Sequence, residues 1–305
     1  MLWEAYLGTP AVRLLSNVAR LRPLIELAYR PSMQRVRDSV LAAGSYDSRR
    51  LAHFARVISL RDSLTRLRQR LAATDLIGEA GRLASEYLPA GTLGQRCPPV
   101  LAFGIYEPAG YGGNDGITLD LLLAADREHL LVRTVAHEIH HYHVGHLTHL
   151  VLPPRSDPAF LLLRSIRNLA NEGIADRIDL QFPFAPPEIP AEIAGDYNAD
   201  YSAGAAVARQ LDSMLVMAAA DSGRLRAIGT DFSRMQRWGG HGPGTYMAEL
   251  IEKQLGRDAL IRVVDNPFAF LRAYSDAELR SSGSPVFTQP ARDALTRLER
   301  AYTAR

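Results

Sequence analysis

The chain contains 305 residues, of which 47% are hydrophobic and 22% charged, with a formal net charge of +2 at pH 7. This composition is typical of a globular protein, and so small a net charge gives no reason to expect a nucleic-acid partner. The single cysteine, Cys97, excludes an intramolecular disulfide and a four-cysteine zinc site. Because there is no apolar run of bilayer-spanning length and no secretory signal, we expect a cytoplasmic protein without a membrane span.

The N-terminal part of the chain is predicted to be helical. Apolar residues recur at helical spacing in residues 9–27, 32–43 and 46–73, with arginines between them. The chain length allows two domains, and we place an N-terminal helical segment at residues 1–70 and a larger domain at residues 71–305. The helical segment is either a cap on the larger domain or the element through which a homodimer forms.

Two short strands are predicted next. Residues 99–106 form an apolar run bounded by proline and glycine, which is typical of a buried strand. A glycine-rich turn follows at residues 111–116, and residues 117–123 are predicted to form the second strand. The turn either lets an extended peptide approach an edge strand or belongs to a plain hairpin beneath the next helix.

Residues 137–141 read H-E-I-H-H and contain the pattern H-E-x-x-H. The preceding residues lack proline and glycine and begin with Asp126, a good N-cap, so a helix is predicted to start there. On a helix His137 and His141 lie about 40° apart around the axis, and two neutral imidazoles so placed can bind one Zn²⁺. Glu138 lies roughly 100° further round, within reach of a water on the metal.

A catalytic zinc site needs a third protein ligand. One hypothesis takes it from the neighbouring histidines, which crowd the same segment: His140, His143, His146 and His149. The longer pattern H-E-x-x-H-x-x-G-x-x-H, however, requires a glycine and a histidine where this chain has Val144 and Leu147.

The other hypothesis takes the third ligand from a helix predicted at residues 159–181. Glu172 and Asp176 are four residues apart and share one face of this helix. We expect Glu172 to bind the metal and Asp176 to accept a ring N–H from a ligand histidine. The alternative is that an arginine neutralises the two acids, and the nearest arginines in sequence are Arg164, Arg167 and Arg177.

Further downstream, residues 195–221 predict one long helix, and a glycine-rich loop is predicted at residues 238–245. The loop is expected to let backbone approach a ligand, and a helix to begin after it. Tyr246 is the preferred residue to stabilise the oxyanion formed in amide hydrolysis, because the start of that helix fixes it, and His241, in the loop, is the second candidate. The alternatives are that Tyr246 is a core tyrosine and that His241 is a bystander.

The chain resembles the gluzincin group of zinc metallopeptidases and, more narrowly, the family of zinc-dependent peptidases called DUF5700. Residues 135–141, 171–176, 242–248 and 265–270 carry the resemblance, which extends from about residue 71 to the C-terminus. It implies His137, His141 and Glu172 as zinc ligands and Glu138 as the catalytic base. The implied fold is α+β: a mostly helical, zincin-like metallopeptidase fold with a small mixed sheet, an active-site helix and a helical C-terminal lobe.

The sequence therefore predicts a zinc-dependent peptidase that acts on a peptide or protein substrate. In zinc peptidases of this shape an edge strand beside the metal pairs with the substrate backbone, which suits the glycine-rich turn. Two other functions use the same residues. The protein is alternatively a zinc hydrolase of a non-peptide substrate, or a non-catalytic binding or scaffold protein that zinc stabilises.

Overall fold

The computed structural model describes residues 22–29, 31–44, 46–95, 99–106, 109–113, 116–180 and 191–303. It confirms the expected α+β fold, which is mostly helical with one small mixed sheet. The chain divides into two compact units. The first takes the described residues as far as Arg82 and residues 99–142, and the second takes residues 83–95 and 143–303. None of the described helices has both the length and the apolar character needed to cross a bilayer.

In the first unit, the N-terminal helices pack around their own apolar core. Leu27, Ala28, Leu51 and Phe54 form its buried centre. The stretch 46–73, predicted to be helical, forms two helices separated at Leu60. Most of the predicted stretch 9–27 lies outside the described residues. The helices are α1 (Arg22–Tyr29), α2 (Gln34–Ala42), α3 (Tyr46–Ser59), α4 (Arg61–Ala72) and α5 (Leu76–Ser85).

The sheet has the strand order β1-β3-β2, with β1 at Leu101–Gly104, β2 at Gly110–Gly113 and β3 at Gly116–Asp120. The central strand β3 runs parallel to β1 and antiparallel to β2. The predicted turn at 111–116 is therefore largely an edge strand. The second predicted strand ends at Asp120 rather than at position 123, because Asp120 caps helix α6 (Leu121–Asp126) by accepting from the backbone N–H groups of Leu122 and Leu123.

Asp120 also ties helix α3 to the sheet. Its Oδ2 lies 3.0 Å from Nε2 of His53 and accepts the backbone N–H of Tyr106, and the carboxylate is fully buried. Asp126, the predicted N-cap of the motif helix, is instead the last residue of α6 and pairs with Arg56. The motif helix α7 (Leu131–Leu147) begins five residues later than predicted, after a short 3-10 turn at Glu128–Leu130.

The second unit is entirely helical in its described part except for one β-bridge between Leu150 and Thr303. Its central helix α8 packs against α11 and α12 and is buried along most of its length. The predicted helix 195–221 is two helices, which meet at Ala203. The helices are α8 (Phe160–Asp179), α9 (Ala191–Ser202), α10 (Gly204–Ala220), α11 (Leu225–Met235), α12 (His241–Leu255), α13 (Arg257–Val263), α14 (Pro267–Ser282) and α15 (Gln289–Tyr302).

The glycine-rich segment before Tyr246 differs from the predicted ligand-approach loop. Gly239 and Gly240 make a tight turn with φ of 68° and 109°, and helix α12 already begins at His241. A β-carbon on Gly173 of α8 would overlap the carbonyl of Gly244 in α12. These two glycines therefore let α8 and α12 cross at backbone contact, and their role is packing rather than ligand approach.

This crossing gives a prediction about stability. Gly173→Ala should lower the free energy of unfolding by about 1–3 kcal/mol, because the added methyl meets backbone that cannot move aside. Gly195→Ala is the matched control, since its β-carbon meets nothing within 4 Å and alanine favours the helix by about 0.5–1 kcal/mol. Denaturant titration measures both variants. Equal or greater stability of the Gly173 variant would contradict the close crossing.

Candidate metal centre

The H-E-x-x-H motif lies on helix α7, as predicted, in a stretch where nearly every residue is buried. His137 is 6% exposed and Glu138 is 7% exposed. The Nε2 atoms of His137 and His141 are 2.9 Å apart, with the two rings edge to face. One turn of helix therefore points two ring nitrogens at the same place.

The pair suits a zinc ion. Two Zn–N bonds of ordinary length at a tetrahedral angle place their nitrogens about 3.3 Å apart. The observed separation of the Nε2 atoms is within a small ring rotation of that value. The donor types are also those that zinc prefers, so the two imidazoles fit the metal that the motif implies.

Glu138 lies against the edge strand β2. A β-carbon built on Gly110 would lie 2.5 Å from Oε1 of Glu138, and one built on Gly112 would lie 2.9 Å from Oε2. Gly110 and Gly112 are two residues apart and so face the same side of the strand. The absence of side chains on this side of β2 makes the room in which the Glu138 carboxylate lies.

In the second unit, the two predicted acids of α8 lie beside the first turn of α12. Asp176 is fully buried, and Nδ1 of His241 lies 2.9 Å from its Oδ1. Thr245 donates its hydroxyl to Oδ2 of Asp176 at 2.5 Å. Nε2 of His241 is 3.5 Å from Oε2 of Glu172. Helix α12 thus supplies a histidine and a hydroxyl to the acid face of α8.

The arginines that were the alternative partners of these acids are engaged in different ways. Arg177 binds Glu249 and Glu252, which raises the arginine's pKa although burial opposes this. Arg164 lies over the ring of Phe160. Burial and the nearby charge of Arg164 lower the pKa of Arg167, while Glu172 raises it. The charge of Arg167 is therefore coupled to that of Glu172, the predicted third ligand.

Residues 10–280 match the family described as "Putative zinc dependent peptidase (DUF5700)". The chain belongs to this family. Neither the curated proteins nor the solved structures contain a match. For DUF5700 the description names zinc and peptidase activity, which agrees with the donor types found on α7.

The two oxyanion candidates of this DUF5700 protein occupy different faces of α12. Tyr246 follows His241 by five residues, so its side chain is about 140° round the helix. Its ring packs edge to face with Tyr201 and Tyr274, and burial, aided by the charge of Glu278, raises its pKa. This placement favours His241 over Tyr246 as the residue beside the acids, and both catalytic roles remain predictions.

Two features of the DUF5700 chain were missed by sequence reasoning. The buried pair of His53 and Asp120 joins positions 67 residues apart, and nothing in the local sequence indicates that pairing. The contact of Gly110 and Gly112 with Glu138 had a signal, since glycines at i and i+2 of a strand leave one face bare. The sequence predicts Gly112 in a turn that either admits a substrate or belongs to a plain hairpin, and it predicts no role for Gly110.

The buried Asp176 allows a test of the acid face of α8 in the second unit. Asp176→Asn should lower the free energy of unfolding by about 2–3 kcal/mol, because an amide replaces a charged acceptor of two hydrogen bonds. Asp231→Asn is the control, because that carboxylate is 61% exposed and makes one weak pair within its own helix. Equal denaturation midpoints for the two variants would contradict the structural role of Asp176.

Proposed function

We propose that the protein is a zinc-dependent peptidase that hydrolyses peptide bonds in a peptide or protein substrate. The observation that carries the proposal is the pair of converging imidazoles beside a buried glutamate on one helix. The family description supports the same metal and the same bond. A single helix thus offers two metal donors and one proton acceptor, which together suit metal-assisted hydrolysis.

We assign His137, His141 and Glu172 as the ligands, the gluzincin arrangement. Support for Glu172 comes from its place on α8, one turn before Asp176, and from the His241 ring near its carboxylate. Three ligands leave one coordination position for water or substrate. When bound, zinc would polarise the carbonyl under attack and lower the pKa of a water to about 7.

Glu138 acts as the general base. Its carboxylate takes a proton from the attacking water and then passes that proton to the amine that leaves. The small exposure of Glu138 suits this role, because a partly desolvated carboxylate is a stronger proton acceptor than one in bulk water. The position of the carboxylate matters as much as its basicity, since proton transfer requires hydrogen-bond reach.

His241 is our choice for the donor that stabilises the developing oxyanion. Asp176 accepts from one ring nitrogen of His241 and so fixes the orientation of the ring. A donor fixed in advance stabilises a new charge without the cost of reorientation. Tyr246 packs in an aromatic cluster on another face of α12 and does not have this support.

The base assignment is tested by Glu138→Gln. We expect kcat on a fluorogenic peptide library to fall by roughly 10²–10⁴-fold, because the amide cannot accept the proton. Zinc content should stay at the wild-type value, since Glu138 is not a ligand. Glu128→Gln is the control, an exposed glutamate that pairs only with Arg70 among its described ion pairs. Turnover near the wild-type rate in the Glu138 variant would exclude Glu138 as the base.

The ligand set is tested by elemental analysis of purified variants. His137→Ala, His141→Ala and Glu172→Ala should each lose most of the bound zinc, because two remaining ligands hold the ion weakly. His149→Ala is the control, a histidine whose side chain is 64% exposed. Full zinc content in the Glu172 variant would remove Glu172 from the set. Stoichiometric zinc without cleavage of any peptide or ester in the wild type would favour the scaffold alternative.

A further inference from the structure

We propose that Gly110 is a positioning residue for the catalytic step. Because Gly110 has no side chain, the Glu138 carboxylate can lie against the edge strand in the position that proton transfer requires. This inference rests on the proposed role of Glu138 as the base. It goes beyond the hypothesis that the glycines of this strand merely admit a substrate. It assigns to the edge strand a function in the geometry of proton transfer.

The argument begins with the pairing of β2 and β3. Gly110 pairs with Leu119 and Gly112 with Ile117, so the register of the edge strand is fixed by a buried central strand. Gly110 and Gly112 present bare backbone toward α7, while Tyr111 between them faces the opposite side and is 47% exposed. The strand therefore has one smooth face, and Glu138 lies on it.

The two glycines contact different parts of Glu138. A β-carbon on Gly112 would lie 2.5 Å from the backbone oxygen of Glu138 and 3.1 Å from Cβ of His141. Any residue larger than glycine at 112 would thus push the whole strand from the helix. On Gly110 the β-carbon would meet the carboxylate of Glu138 and Cδ1 of Leu119, both of which are side-chain atoms. Substitution at 110 therefore displaces the carboxylate and leaves the backbone in place.

Displacement of that carboxylate should act on kcat. A shift of about 1 Å in a reacting group can cost roughly 10²-fold in rate, because reach and alignment for proton transfer are lost. Substrate binding does not use the Glu138 carboxylate in the proposed mechanism, so KM should change little. A role of Gly110 in general packing predicts a different result, with loss of folded protein and no selective effect on kcat.

The first experiment is a double-mutant cycle between Gly110→Ala and Glu138→Asp on the full chain. We expect Gly110→Ala to lower kcat by at least about 10-fold with KM within about twofold and zinc content unchanged. In the Glu138→Asp background the shorter acid no longer reaches the added methyl, so the further loss should be within about twofold. Gly94→Ala is the matched control, because its β-carbon meets nothing within 4 Å.

A second double-mutant cycle measures the same contact by thermal unfolding and needs no activity assay. Gly110→Ala should lower the midpoint of thermal unfolding by about 2–4 °C, and most of that shift should disappear when Glu138→Ala is added. This thermal cycle can be measured even if Gly110→Ala is poorly active, because its readout is unfolding. The double variant removes the overlap between the added methyl and the carboxylate.

The results separate the two proposals. Equal fold-losses of kcat from Gly110→Ala in both backgrounds, or a Gly110 variant as active as the wild type, would overturn the positioning role. If Glu138→Gln retained wild-type turnover, the assignment of Glu138 as the base would fail, and the thermal cycle would still report whether Gly110 makes room for the carboxylate.

Discussion

Two imidazole nitrogens held 2.9 Å apart on one helical turn determine what the rest of the first unit must provide. Two neutral rings can share one proton across that gap, or they can share one cation. His137 is almost wholly buried, so a species shared between the two nitrogens lies largely out of contact with bulk water. A divalent metal can be this species, with two bonds of the kind that zinc forms with histidine.

The same packing device, a glycine at a close backbone approach, occurs in both units. In the first unit, bare glycine backbone on β2 lets the edge strand lie against α7, and the Glu138 carboxylate lies in the resulting space. In the second unit, Gly173 and Gly244 let α8 and α12 cross at backbone contact. That crossing brings His241 and Thr245 within hydrogen-bond distance of Asp176. Charged side chains are thus held on rigid elements at short range, which is the condition for electrostatic preorganisation. The cost is that a side chain at any of these glycine positions would meet its neighbours at less than normal contact distance.

Sequence reasoning recovered the features that depend on local spacing. The i and i+4 placement of His137 and His141 and that of the acids Glu172 and Asp176 follow from periodicity. The mostly helical α+β fold was what the family resemblance implied. The predicted ends of helices and strands were wrong where a residue distant in sequence determines them. Asp120 ends β3 and begins α6 because His53 and Tyr106 hold its carboxylate from elsewhere in the chain, so Asp126 was free to pair with Arg56. The break at Ala203 has no proline, and its local signal is Gly204, which directly follows it. The roles of the glycines were the hardest to predict, because a glycine that provides flexibility and a glycine that permits close packing look the same in a sequence.

The start of α12 shows how a boundary error alters a functional hypothesis. With a helix predicted to begin at Gly244 or Thr245, His241 belonged to a loop and Tyr246 was the residue fixed by secondary structure. Because the helix begins at His241, that histidine and Thr245 are i and i+4 neighbours on the face toward Asp176. Tyr246 lies on another face of the same helix, where its ring packs with those of Tyr201 and Tyr274. Burial raises the pKa of the Tyr246 hydroxyl, and the packing of its ring with Tyr201 and Tyr274 makes Tyr246 the weaker candidate for the oxyanion donor. The helix starts three or four residues earlier than predicted, and this changes which of the two residues faces the acids. The direction of the side chain therefore counts for more than its acidity in the choice between His241 and Tyr246.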